Sequence, residues 1–249
     1  MFSPQGPSLR ELAVQALSSV EDGYDLLAPK FDHTPFRTAD GILDATADAL
    51  RPLGPFGRGL DVCCGTGAGM RVLGSVCQGP VMGTDFSAGM LARARRAHPE
   101  AGWVQADARA LPFAGGFDLA VSFGALGHFR PAERPALFAG VYRALRPGGV
   151  FAIPLGAMPP VTSAGYWALL GFDVTMRVRN AVWRPPFVMY YRTCPVDAVG
   201  DDLTAAGFTV STLPLTGLGR RGDGSPRCWL VLGRKGASGR RVGPDRTVA

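Results

Sequence analysis

The chain has 249 residues, 47% hydrophobic and 18% charged, which permits a sizeable buried core and excludes a disordered polymer. Its formal charge is +6, yet Arg234, Lys235, Arg240, Arg241 and Arg246 against Asp245 hold +4 of it, leaving only +2 for the first 232 residues. Basic residues gathered in a Gly/Ser-rich segment without aromatics do not make a nucleic-acid surface, so no nucleic-acid partner is expected.

The predicted elements alternate from about residue 38. "TADGILDATADAL" places Ile42, Leu43, Ala47 and Leu50 on one helical face, with Thr38 as its cap. "GLDVCC" reads as a short buried strand and "TGAGMRVLGSVC" as a helix opening on glycines. "PVMGTDF" is a second strand, followed by "SAGMLARARRAH", a helix capped by Ser87 and basic toward its end, as the helix dipole favours. "AGWVQAD" and "FDLAVSFGAL" give two more strands, "AERPALFAGVYRAL" a helix, "RPGG" a stop and "VFAIPL" a fifth strand. Apolar strands separated by helices imply βαβ units and a parallel sheet covered on both faces. Residues 156–195 read as an irregular, aromatic-rich insertion; then come a helix in "VDAVGDDLTAAG" and strands in "FTVSTLPL" and "RCWLVLGRK". The organisation expected is one domain over 1–235, with a lid at 1–40, a substrate-covering insertion at 156–195 and a loose basic tail at 236–249.

Five cysteines, an odd number without a CxxC pair, indicate neither a disulfide framework nor a zinc site, and no metal is expected. The opening "MFSPQGPSLRELAVQ" lacks the basic-then-apolar pattern of a signal peptide, so the expected location is cytoplasmic. The uncharged run from Pro147 to Phe172 carries four prolines and five glycines, a poor composition for a membrane-spanning helix.

The stretch "GLDVCCGTGAGM" is the most informative. In an open parallel sheet, ligands sit beyond the carboxyl ends of the strands. There Gly65 and Gly67 let the backbone turn tightly and a ligand approach without a Cβ in the way. A dinucleotide fingerprint would need glycine where Met70 stands, and a P-loop would need a lysine, whereas the chain has only Lys30 and Lys235. Asp61 at the strand end would repel a pyrophosphate and welcome a cation.

On these residues the chain resembles the class I S-adenosylmethionine-dependent methyltransferases. The family's first motif, acidic-x-Gly-x-Gly-x-Gly, stands here as Asp61-Val62-Cys63-Cys64-Gly65-Thr66-Gly67, with Cys63 replacing the first glycine. The order continues with "VMGTDFSAGML", "VQADARALPF", "FDLAVSFGALGHF" and "LRPGG", so that the resemblance spans about residues 59–155. It implies a Rossmann-like, doubly wound, mostly parallel seven-stranded sheet with an antiparallel last strand. It also implies S-adenosylmethionine as cofactor and S-adenosylhomocysteine as product. Carried over residue by residue, Asp85 would take the ribose hydroxyls, Phe86 and Met90 would line the adenine, and Asp107 and the Ala108 N–H would read the ring. The Cys63 backbone and the Phe123 carbonyl would meet the methionyl part, and Tyr24 or Arg37, in a segment resembling the family's lid, its carboxylate. Asp118 opens its strand and reads as structural.

His128 is the candidate base for an acceptor protonated at working pH. Trp167, Trp183, Met189 and Tyr190 of the insertion are the candidate acceptor pocket. The function expected is methyl transfer to O, N or C of a small hydrophobic or aromatic acceptor such as a quinone or secondary metabolite, in natural-product biosynthesis. The alternative is a non-methylating cyclase or binding module on the same scaffold, because a fold does not fix chemistry. A monomer or homodimer is expected.

Overall fold

The computed structural model describes residues 7–8, 20–34, 37–157, 161–183 and 194–237. Its elements in chain order are α1 (Val20–Leu27), α2 (Asp40–Leu50), β1 (Gly59–Val62), α3 (Met70–Val76), β2 (Val81–Asp85), α4 (Ala88–Ala97), β3 (Gly102–Gln105) and β4 (Phe117–Val121). They continue with α5 (Arg134–Ala144), β5 (Leu145–Gly156), α6 (Ala164–Trp183), α7 (Val196–Ala205), β6 (Thr209–Pro214) and β7 (Cys228–Arg234). The seven strands form one sheet in the order β3-β2-β1-β4-β5-β7-β6. Neighbours from β3 to β5 are parallel, and β7 is antiparallel to both β5 and β6, as expected. The order reverses between β1 and β4, which opens a crevice at their carboxyl ends.

Alternation along the strands builds a core on each face. Phe117 and Ala120 of β4 and Phe151 and Ile153 of β5 join Phe138 and Val141 of α5 and Val199 and Leu203 of α7. The intervening Leu119, Val121, Val150 and Ala152 join Leu43 and Leu50 of α2 and Val72 and Leu73 of α3 on the opposite face. A period of two divides β5 and residues 119–121 of β4 in this way, and a register shift between Phe117 and Leu119 moves Phe117 to the face of Ala120.

Ser87 caps α4 as expected: its hydroxyl accepts from the Met90 N–H at 3.0 Å. The same hydroxyl donates to the Asp25 carboxylate. Ser87→Ala is therefore expected to cost about 1–2 kcal/mol in chemical denaturation, the upper part of the usual range for a lost cap.

Three expectations are corrected. Thr38 does not cap α2; Ala39 holds the cap position without a side-chain bond, and Asp40 opens the first turn. The helix α5 does end before "RPGG", at Ala144, but β5 starts at Leu145 and runs through that stretch instead of beginning at Val150. The insertion is not irregular: α6 spans 20 residues from Ala164 to Trp183. Its interior contains no proline, and Pro159–Pro160 and Pro185–Pro186 bracket it, which lets a helix form despite Gly165 and Gly171. Among the described residues no helix is long and apolar enough to cross a membrane.

Candidate functional site

A cavity of about 730 Å³ opens at the β1/β4 switch point. Its wall includes Tyr24, Arg37, Asp61, Cys63, Gly65, Asp85, Phe86, Met90, Asp107, Ala108, Phe123 and His128. The structure thus brings together every expected cofactor-side residue except Gly67, which does not line the wall. Gly67 has a positive φ of 92°, and a Cβ there would come within 3.1 Å of the Trp103 ring, so its contribution is the turn itself.

Asp61 is the penultimate residue of β1 and is 1% exposed. Burial, followed by the charge of Asp85, holds its carboxyl well above the usual range, against a lowering contribution from the Gly69 N–H. Its Oδ1 is buried without a hydrogen-bond partner. A buried carboxylate with an unused oxygen is costly until a donor arrives, preferably a cationic one. Gly69 makes room for it: a Cβ there would stand 2.7 Å from the Asp61 Cγ and 3.0 Å from the Phe123 ring.

Asp85 ends β2 and shapes the glycine loop directly. Its Oδ2 accepts from the Gly65 N–H at 2.9 Å and its Oδ1 from the Ser87 N–H at 3.0 Å. Each oxygen retains capacity for a further donor. Burial raises this carboxyl also, against those backbone bonds.

Asp107 differs from the expectation of a waiting acceptor. Arg109 grips it, with Nε 3.0 Å from both carboxylate oxygens and Nη2 2.6 Å from Oδ2, and its backbone N–H adds a bond at 2.8 Å. Arg109 also donates to Glu133 at 2.6 Å. The side-chain bond from Arg109 holds the Asp107 carboxyl below its usual range.

Cys63 explains the departure from the family motif. It has φ of 59°, the one positive φ of a non-glycine among the described residues. The left-handed region costs an L-residue roughly 1–2 kcal/mol, which is why glycine suits this position. Burial pushes both the Cys63 and the Cys64 thiols up, which disfavours the reactive thiolate.

Described residues of the N-terminal segment, Tyr24, Phe31 and Arg37, also line the cavity. From that wall Tyr24 places its hydroxyl 2.6 Å from His128 Nε2. Its ring meets Phe86 edge-on at 6.0 Å and Phe31 at 6.1 Å. Arg37 lines the cavity while donating to Asp40 at 2.9 Å. Two lid carboxylates fasten the segment: Asp25 accepts from the Gly89 N–H at 2.8 Å, and Asp32 from the Thr66 hydroxyl at 2.6 Å. Asp25, Asp32, Thr66, Gly69 and Arg109 were missed in the sequence. Only Gly69, the next glycine after Gly67, carried a signal there. Asp118, read as structural, accepts from the Arg58 N–H at 2.8 Å and pairs with Arg146, away from the cavity.

The acceptor pocket expected from the insertion is not formed by Trp167. That side chain is 61% exposed, and its indole N–H donates to the Val161 carbonyl at 2.9 Å. The helical path of α6 turns it outward. The Trp183 side chain, Met189 and Tyr190 lie outside the described residues, as does the tail beyond residue 237.

Residues 60–149 match the model of a methyltransferase domain family. Those residues carry a methyltransferase domain. The chain is 40% identical over 110 residues to the 2-phytyl-1,4-naphtoquinone methyltransferase of Thermosynechococcus vestitus, covering 42% of this chain and 48% of that one. It is 36% identical over 127 residues to the trans-aconitate 2-methyltransferase of an Azoarcus species, covering 50% and 49%. The chain therefore spans about half the length of these curated relatives. In fold it is similar to an O-methyltransferase family protein from Burkholderia thailandensis, with a TM-score of 0.66, 17% identity, and 93% and 67% of the two chains covered. For the methyltransferase domain the residues present fit the cofactor, because the unpartnered Asp61 oxygen accepts a cationic donor and Asp85 can accept from hydroxyls.

Proposed function

We propose that this protein transfers the methyl group of S-adenosylmethionine to a small hydrophobic or aromatic acceptor, a quinone-type compound being the leading class. The observation that carries the reading is Asp61: a buried, unpartnered carboxylate oxygen on the wall of a cavity of about 730 Å³ at the switch point of the sheet. When bound, the cofactor supplies an already activated methyl group on a sulfonium. The protein's share is then binding and alignment. Asp61 and the Phe123 carbonyl would hold the methionyl ammonium, Asp85 the ribose hydroxyls, and Phe86 and Met90 the adenine faces. Arg109 would keep the Asp107 carboxylate in one orientation at the adenine edge. Arg37 would meet the methionyl carboxylate, a charge-assisted pair.

The quinone and aconitate relatives support a small-molecule acceptor. Residues 1–40 would act as the lid of a single domain. Calorimetric titration with S-adenosylmethionine, then incubation of metabolite extracts with methyl-labelled cofactor, tests the reading. Failure to bind the cofactor at millimolar concentration refutes it.

The raised Asp61 and Asp85 carboxyls add a pH dependence. An acid whose folded pKa is raised contributes stability below its unfolded value and loses it as pH rises through the folded value. Above 3.8, the ordinary value, ionising Asp61 against burial and the Asp85 charge therefore destabilises the ligand-free protein. A cationic ligand needs the ionised form. Affinity for S-adenosylmethionine is expected to rise with pH through that range, with proton release on binding below the folded pKa. Calorimetry in buffers of different ionisation enthalpy measures the released proton.

A further inference from the structure

Six large apolar side chains are exposed among the described residues, and five of them, Val161, Trp167, Val174, Val178 and Val182, lie on α6 or just before it. Successive spacings of seven, four and four put Trp167, Val174, Val178 and Val182 on one stripe of the helix. Gly171 and Ala181 are exposed beside them, and Arg177 is the one charged residue among the described exposed side chains of α6. It pairs at 2.7 Å with the buried Asp173. A helix at a protein surface ordinarily turns a polar face outward, so an outer stripe of this composition calls for a cover.

We propose that the cover is an anionic lipid leaflet, with α6 lying in its surface. Size argues against a second copy of the chain. From Trp167 to Val182 the stripe is about 24 Å long and roughly 10 Å wide, at ordinary helix dimensions. That footprint falls well short of the roughly 800 Å² that each partner of a stable dimer buries. A leaflet needs no matching surface and takes up a narrow apolar face to a depth of about 5–10 Å. Charge points the same way. Residues 156–195 hold four arginines and one aspartate, a formal +3, whereas the rest of the first 232 residues sums to −1. The basic excess ahead of residue 233 thus accompanies the apolar stripe, as attraction to acidic headgroups requires. The indole N–H of Trp167 donates to the Val161 carbonyl at 2.9 Å, so the ring leaves water without an unpaired donor. Because β5 is parallel to β4 and ends at Gly156, the chain enters this segment from the sheet edge at which the cavity opens. A lipophilic acceptor would then reach the cleft from the leaflet. The inference goes beyond the methyl-transfer reading and does not depend on it.

The test uses the full chain with vesicles of phosphatidylcholine alone and of phosphatidylcholine mixed equally with phosphatidylglycerol. The parent should float with the mixed vesicles, and Val174→Glu/Val178→Glu should bind them roughly tenfold more weakly, with an unchanged melting midpoint. Bromine on the lipid acyl chains should quench tryptophan fluorescence of the parent, and Trp167→Phe should lose at least half of that quenching. The quenching experiment decides the matter should the double variant prove unstable. Equal flotation of the parent and a folded double variant overturns the proposal, because the basic tail at 236–249 would then account for binding. Absence of quenching overturns it also. So does a two-chain mass in sedimentation that falls to one chain in the double variant, which would assign the stripe to a second copy. Vesicle binding is read without cofactor, so failure to bind S-adenosylmethionine strikes the methyl-transfer reading alone.

Discussion

Replacing Gly69 with alanine is expected to weaken S-adenosylmethionine binding about 100-fold, a loss of roughly 3 kcal/mol. The added Cβ would collide with the Asp61 carboxylate, standing 2.7 Å from its Cγ, with the Phe123 ring 3.0 Å away on the other side. Neither neighbour is the loose end of a flexible side chain. Asp61 is buried next to the last residue of β1, and Phe123 follows β4. The carboxylate must turn from the position in which its free oxygen faces the cavity, and the Gly69 N–H loses its acceptor. Overpacking of this kind also costs about 1–3 kcal/mol of stability, so the variant should be assayed below its own melting transition. Calorimetry on folded protein measures the affinity directly. An unchanged dissociation constant would show that Asp61 does not touch the ligand.

The largest expected loss of stability comes from the core between the sheet and α5. Phe138 on α5 is fully buried, with its ring 6.2 Å from that of Phe151 on β5. It joins the core between the sheet and α5 and α7. Phe138→Ala removes a ring from a close-packed site and leaves a cavity that rigid strands cannot refill, a change worth about 3–5 kcal/mol. For a chain of this size the midpoint should fall by roughly 8–15 °C in a thermal melt. A fall of only a few degrees would mean that α5 relaxes inward.

The sheet was readable because its signals are short-range. The apolar runs in "FDLAV" and "GLDV" hold whatever surrounds them, and Ser87 caps α4 by a contact three residues away. The carboxylates at the tips of β1 and β2 were readable for the same reason, since strand ends and glycine turns are local. The α6 helix was hidden by aromatics that suggested a pocket, whereas two flanking proline pairs decided its extent. The lid was illegible for a different cause. Asp25 meets Gly89, and Tyr24 meets His128, across 64 and 104 residues, and only the folded chain supplies such partners. Nor could the sequence show that Arg109 would occupy Asp107, because salt-bridge geometry depends on how the turn at Ala108–Ala110 points its side chains.

The fastening of Asp32 to Thr66 has a consequence for the cleft. Thr66 belongs to the same glycine loop whose Gly65 N–H is held by Asp85, so roof and floor share one short piece of backbone. Whatever steadies that backbone from below also steadies the roof, and by reciprocity a roof in place tightens the grip below. A ligand in the cleft therefore meets one shared piece of backbone, and the order of residues 20–34 and of the glycine loop is expected to change together.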